Sequence, residues 1–139
     1  MLVKSNYIQL TTRGHADILD ITQRVIDCIQ DSGLVNGIVT IFCPSSTSAL
    51  TTIEYEPGVL QDLKQIFDEL VPPNRMYLHD EAWHDGNGYS HVRSALLKAS
   101  LTVPVVNGRM TLGTWQQLVY IDFDNRARKR ELVVQIIGE

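Results

Sequence analysis

The chain has 139 residues, of which 44% are hydrophobic and 20% charged, and carries a net charge of −4. That balance fits one globular domain able to bury its own core and excludes a disordered chain. Nucleic acid is excluded as the main partner, because the one basic cluster (Arg126, Arg128, Lys129, Arg130) is too small and reads as a solvated turn.

In chain order, residues 6–13 alternate Tyr7, Ile8 and Leu10 with Gln9, Thr11 and Thr12, which predicts an opening strand. Asp17 is placed to cap a helix in which Ile18, Ile21, Val25 and Ile29 recur at helical spacing until Gly33 stops it. Residues 37–43 form a β-branched run, predicted as a buried strand ended by Pro44, and the Thr-rich residues 47–54 predict another. Pro57 opens a helix carrying Val59, Leu63, Ile66 and Leu70, closed by Pro72 and Pro73. Residues 90–99 set Val92, Ala95, Leu96 and Ala99 on one helical face. Residues 100–106 and 109–114 flank Asn107-Gly108, a type I′ hairpin signal. Residues 117–123 and 131–137 read as a second hairpin-like pair around Asp124-Asn125. Interleaved helices followed by consecutive strands predict a single α+β domain over residues 1–139, largely antiparallel, with about three helices. Cys28 and Cys43 read as free thiols. Apolar runs fall far short of the ~20 residues of a membrane span, so the expectation is a cytoplasmic protein with no membrane partner.

Three of the four histidines, His79, His84 and His91, fall within residues 79–91. A neutral imidazole offers one lone pair, so three converging on a point make a site for a divalent metal, Zn²⁺ first. Asp80, Glu81 and Asp85 lie among them as groups that orient rings or move protons. With residues 85–88 as a turn, His84 precedes it and His91 enters the next helix, while His79 approaches from an extended piece. The spacing matches neither a zinc finger nor a zincin, so separate surface or core roles stay open beside the metal site. His15, isolated, reads as a surface residue.

Other groups have two readings. The Gly86-Asn87-Gly88 turn either tightens the chain or lets a ligand approach backbone amides at a helix start. Arg93, one turn further, is a candidate bidentate contact for a phosphate, against a solvated role. Ser46 and Thr47, within four consecutive hydroxyl residues, either hold a phosphate or fill a turn. Glu54 is a candidate carboxylate base and, with Asp85 and Asn87, completes the candidate catalytic set. Residues 113–117 read as a strand in which Thr114 and Trp115 form a ligand wall, or Trp115 packs in the core, the safer reading. Neither a Walker loop nor a dinucleotide-binding glycine motif is present.

Four segments carry a resemblance: Ser-Ser-Thr-Ser-Ala-Leu-Thr-Thr-Ile-Glu-Tyr-Glu-Pro-Gly (45–58), Tyr-Leu-His (77–79), His-Asp-Gly-Asn-Gly-Tyr-Ser-His-Val-Arg (84–93) and Leu-Gly-Thr-Trp-Gln-Gln (112–117). In this order, over nearly the whole chain, they resemble the YjbQ-like family, often named secondary thiamine-phosphate synthases. The resemblance implies a compact α+β domain, a homotrimer, a metal-binding histidine cluster near an inter-subunit cleft, and weak thiamine-phosphate synthase activity. His79 and His91 match the family's recurrent histidines, while Ser46 stands where many members have a further histidine. His84 belongs to a Trp-His-Asp-Gly-Asn branch and is expected to replace that ligand.

The leading expectation is a metal-dependent enzyme acting on a phosphorylated small molecule. His79, His84 and His91 hold the metal, and Ser46, Thr47 and Arg93 hold phosphate. Trp83 or Trp115 walls a cationic intermediate, and Asp85 or Glu54 serves as base in a hydrolytic variant. A non-catalytic metal- or anion-binding module and a structural oligomer with histidines at its interface are the alternatives.

Overall fold

Alternating side chains give two antiparallel sheets one common interior. The computed structural model describes residues 1–139. Its elements are β1 (Leu2–Thr12), β2 (Asp17–Asp20), α1 (Thr22–Ser32), β3 (Gly37–Phe42), β4 (Ser48–Ile53) and α2 (Pro57–Leu70), then α3 (Leu78–Trp83), α4 (Gly88–Leu97), β5 (Ser100–Val106), β6 (Arg109–Met110), β7 (Gln117–Asp122) and β8 (Arg128–Gly138). The larger sheet has the order β1-β8-β3-β5-β6 and the smaller β2-β7-β4. Every pairing is antiparallel, as expected for an α+β fold.

Ile8, Val39, Ile41, Val103, Val105, Leu132, Val134 and Ile136 face inward from the larger sheet. They meet Leu50, Leu118 and Tyr120 of the smaller sheet and Ile21, Val25 and Ile29 at α1. The other face of the smaller sheet sets Ala49, Val119 and Ile121 against Phe67 of α2 and Phe123. β7 is thus covered on both sides, and its run from Leu118 to Asp122 is buried throughout.

Several predicted elements change. Residues 17–20 form β2 instead of the first turn of a helix, because Ile18 pairs with Ile121 and the Asp17 carboxylate accepts the Arg13 N–H. α1 starts at Thr22, whose N–H donates to Asp20 Oδ1, and ends at Gly33 with φ 75°. Gly33 is the left-handed stop that was read from the sequence. The Asn107-Gly108 hairpin forms as predicted, with φ of 51° and 75°, but β6 is only Arg109–Met110. Residues 113–116 form a turn, not a strand, and leave Trp115 72% exposed, so it is not core. β7 and β8 are not a hairpin: β7 pairs with β2 and β4, and β8 with β1 and β3. Residues 123–127 carry the chain from one sheet to the other. α3 makes the helices four instead of about three.

Both cysteines are free, Cys43 buried and Cys28 half-buried. No helix is long and apolar enough to cross a membrane.

Leu50 is fully buried between the two sheets. Leu50→Ala is expected to cost about 2–5 kcal/mol. The check is a lower urea midpoint with an unchanged denaturant slope.

Candidate active site

The segment that crosses between the sheets begins with two carboxylates, Asp122 and Asp124, both 0% exposed. Buried charge persists only when paired and hydrogen-bonded. Arg130 supplies a two-pronged contact to Asp122, Nε to Oδ2 at 2.8 Å and Nη2 to Oδ1 at 3.0 Å, and the Thr12 hydroxyl donates to Oδ2 at 2.6 Å. Asp124 Oδ2 takes Arg128 Nη2 at 3.0 Å, the Thr47 hydroxyl at 2.9 Å and Asn87 Nδ2 at 3.3 Å. Burial alone raises the pKa of Asp124, but the bonds from Thr47, Arg128 and Asn87 outweigh it and hold the carboxyl below its usual range. The basic cluster is therefore not a solvated turn. Arg128 and Arg130 turn inward, while Arg126 and Lys129 are exposed.

This floor fixes α4. Asn87 Oδ1 accepts from the Ser90 hydroxyl and the Asn125 N–H while its amide nitrogen reaches Asp124. Asn87 is 4% exposed, so it is a structural clamp, which corrects its placement among the catalytic groups. Asp80 Oδ1 accepts the Gly88 N–H at 2.9 Å, and Asp85 Oδ1 accepts the Asn87 N–H at 3.2 Å. A Cβ on Gly88 would stand 2.6 Å from Tyr77 Cβ, so only glycine allows α3 this close to α4.

The close approach brings His79 against His91, with ring centroids 4.3 Å apart and the planes tilted by 39°. His79 reaches this place from α3, not from an extended piece. Its Nδ1 lies 3.3 Å from Asp80 Oδ1 and 3.6 Å from Asp85 Oδ1, and the ligand atoms of these three residues fall within 4.8 Å of one another. A proton on Nδ1, given to a carboxylate, leaves the Nε2 lone pair free. Burial and the neighbouring His79 lower the pKa of His91 against the pull of Asp85, Asp124 and Asp80, which favours the neutral ring. His91 is not one of the trio His79, Asp80 and Asp85 and joins it through its ring contact with His79, while His84 falls outside both arrangements. It ends α3 at φ 55° and lines a separate depression with Met76, Tyr77, Asp80 and Glu81.

Beside His91 lies a groove of about 390 Å³ between α4 and the loop before β4, lined by Ser45, Ser46, Ser48, Ser94 and Lys98 among others. Ser46 thus opens toward the histidines' side of the molecule. The Thr47 hydroxyl faces inward between Asp124 and Arg130, so it is not free for a phosphate. Arg93 is neither solvated nor at the groove. Its Nε and Nη2 donate to Val71 O, and Nη2 also meets Asp68, amid the rings of Phe67, Tyr89 and Phe123. Glu54, Thr114 and Trp115 sit at the other end of β4, about 20 Å along the strand. There Gln116 and Gln117 tie the turn to Thr52 and to the backbone of Tyr55. The structure does not bring these three together with the histidines.

Sequence reasoning passed over Asp122, Asp124, Arg130 and Lys98. The first carried a signal: Leu118, Tyr120 and Asp122 share one face of a buried strand, and a carboxylate there demands a cation.

The fold and this histidine–carboxylate pair define a two-sheet α+β protein with a candidate cation site at a helix–helix junction. A family model described as "UPF0047 protein YjbQ-like" matches residues 6–139. A UPF0047 protein of Methanothermobacter thermautotrophicus is 37% identical over 139 residues, covering 100% of this chain and 95% of the relative. The crystal structure of a hypothetical protein from Aeropyrum pernix K1 superposes with a TM-score of 0.91 at 29% identity, over 98% of this chain and 99% of that one. That of a protein of unknown function from Sulfolobus solfataricus P2 gives 0.88 at 29% identity, over 99% of each chain. The chain belongs to the YjbQ-like, UPF0047 family.

The lowered Asp124 pKa has a definite sign. Its contribution to stability is present above the unfolded-state value near ~3.9 and is lost as pH falls through the lower folded value. Asp124→Ala is expected to cost about 3–5 kcal/mol at pH 7. In guanidinium unfolding, the gap from the parent should narrow on going from neutral pH to about pH 3.

Proposed function

We propose that the chain is a divalent-metal-dependent enzyme acting on a phosphorylated small molecule, with His79 and His91 as the central metal ligands and Asp85 beside them. The observation that carries this reading is the close, tilted His79–His91 pair with two carboxylates at His79 Nδ1. This donor set fits a borderline divalent ion such as Zn²⁺: two imidazoles, and carboxylates that either ligate or fix a tautomer. When bound, such an ion supplies charge neutralisation at phosphoryl oxygens.

The chain's own groups do the rest. Asp80 spends one oxygen on Gly88 and orients His79 with the same edge, so it positions the ring. Asp85 is more exposed and holds the Asn87 N–H, which leaves its second oxygen to accept a proton. The groove beyond His91 offers serine hydroxyls and an ammonium group, donors suited to a phosphate. Thiamine-phosphate formation is the specific reaction to assay within this class. Within one chain its cationic intermediate would rely on Trp83, which is exposed at the end of α3, since Trp115 lies at the far end of β4.

A homotrimer is part of the same proposal. The outer face of the larger sheet is uncovered and carries an apolar row, Val3, Ile137, Ile38 and Pro104, in register across four strands. Exposed Tyr7 and Phe42 stand on the same face around Val133. A patch of this kind on a soluble chain calls for a partner.

Metal content measured by plasma mass spectrometry on tag-free protein tests the first reading. About one divalent ion per chain is expected, lost in His79→Ala/His91→Ala and retained in His84→Ala; metal-free protein after reconstitution would overturn it. Light scattering tests the second. A mass near three times 15.7 kDa is expected, falling to one chain in Phe42→Asp.

A further inference from the structure

One cation in the groove has nothing paired to it. Lys98 caps α4 seven residues beyond His91 and lines the groove together with Ser45 and Ser46. Its side chain makes no ion pair and no hydrogen bond. No carboxylate lines the groove.

The backbone makes this lysine more telling. Lys98 has φ 103° and ψ 162°, a region open essentially to glycine alone. It is pinned there because its N–H donates to Ser94 O at 3.1 Å and its carbonyl accepts from Leu50 N–H at 3.1 Å. Glycine would occupy the position without strain, yet the chain places a charged side chain there.

We propose that Lys98, with Ser46, is the recognition site for a phosphate that the substrate keeps, separate from the group processed at His79 and His91. Seven helical residues span about 10 Å. A substrate filling both ends is a phosphomonoester of a small polyol or heterocycle whose reactive group lies several bonds from its phosphate. Inorganic pyrophosphate is too short. This assignment rests on reading the groove as the substrate site, and it adds which end of the substrate is held and by what.

The test is calorimetric titration of inorganic phosphate into the protein as purified and after EDTA treatment. Binding is expected in both states. It should weaken about tenfold or more in Lys98→Gly and stay within about threefold of the parent in Lys98→Arg. Lys98→Gly should unfold at a midpoint no lower than the parent's, because it relieves the backbone, so lost binding cannot be ascribed to lost structure. Its metal content should match the parent's. Equal phosphate affinity in parent and Lys98→Gly, or no binding by the parent, overturns the proposal. Lys98-dependent binding in a protein that takes up no metal would sink the metal reading while leaving this one standing.

Discussion

Two carboxylates with no access to water set the terms for the rest of this structure. Asp122 and Asp124 sit where the chain leaves the smaller sheet for the larger one. Each is saturated by groups from elsewhere in the sequence: Thr12 from β1, Thr47 from the loop before β4, Asn87 at the start of α4, and Arg128 and Arg130 from β8. Taking such charges out of water is costly, and the contacts roughly repay it, so the network contributes more to uniqueness than to stability. Five segments must meet for all these contacts to form. The turn after β1 presses against the same place. Gly14, His15 and Ala16 all have positive φ, and a Cβ on Gly14 would lie 2.4 Å from Arg126 O. That strain is tolerated because the His15 N–H reaches Asp124 O at 2.7 Å.

The histidine site is a local construction on this long-range floor. α3 and α4 are neighbours in sequence, and glycine at position 88 is enough to bring His79 against His91. What orients the pair is remote, because Asn87 sets the start of α4 only by gripping Asp124 and Asn125. The chemistry-bearing residues thus depend on side chains that never touch them.

Elements with a strong local signal were legible in the sequence. Pro57 opens α2, Gly33 ends α1 and Asn107-Gly108 turns the β5–β6 hairpin, each through backbone chemistry carried by the named residue. What failed depended on distant partners. Ile18 and Ile21 fit a helical period, but the edge offered by β7 drew residues 17–20 into a strand. β7 and β8 looked like a hairpin because nothing local marks a change of sheet. Among the site residues, the proximity of His79 and His91 followed from short spacing. Thr47 and Arg93 suit a phosphate by their hydroxyl and guanidinium groups, and Asn87 suits a catalytic role by its place between the histidines. The fold spends those same groups on its interior. Arg130 was hidden for the opposite reason: a run of basic residues looks solvated until a buried carboxylate claims one of them.

The position of β8 has a consequence for how the molecule is made. It lies between β1 and β3, pairing with β1 from Leu2↔Gly138 to Thr12↔Arg128, yet it follows both in the chain. Loops spanning most of the sequence must close before the larger sheet exists, and closure of that kind slows folding. Until β8 arrives, β1 and β3 present unpaired edges and an uncovered apolar face. During synthesis the chain passes through a stage in which both Arg130 and the pairing partner of β1 are missing. The buried carboxylates and β1 therefore gain their remaining partners only once β8 is in place.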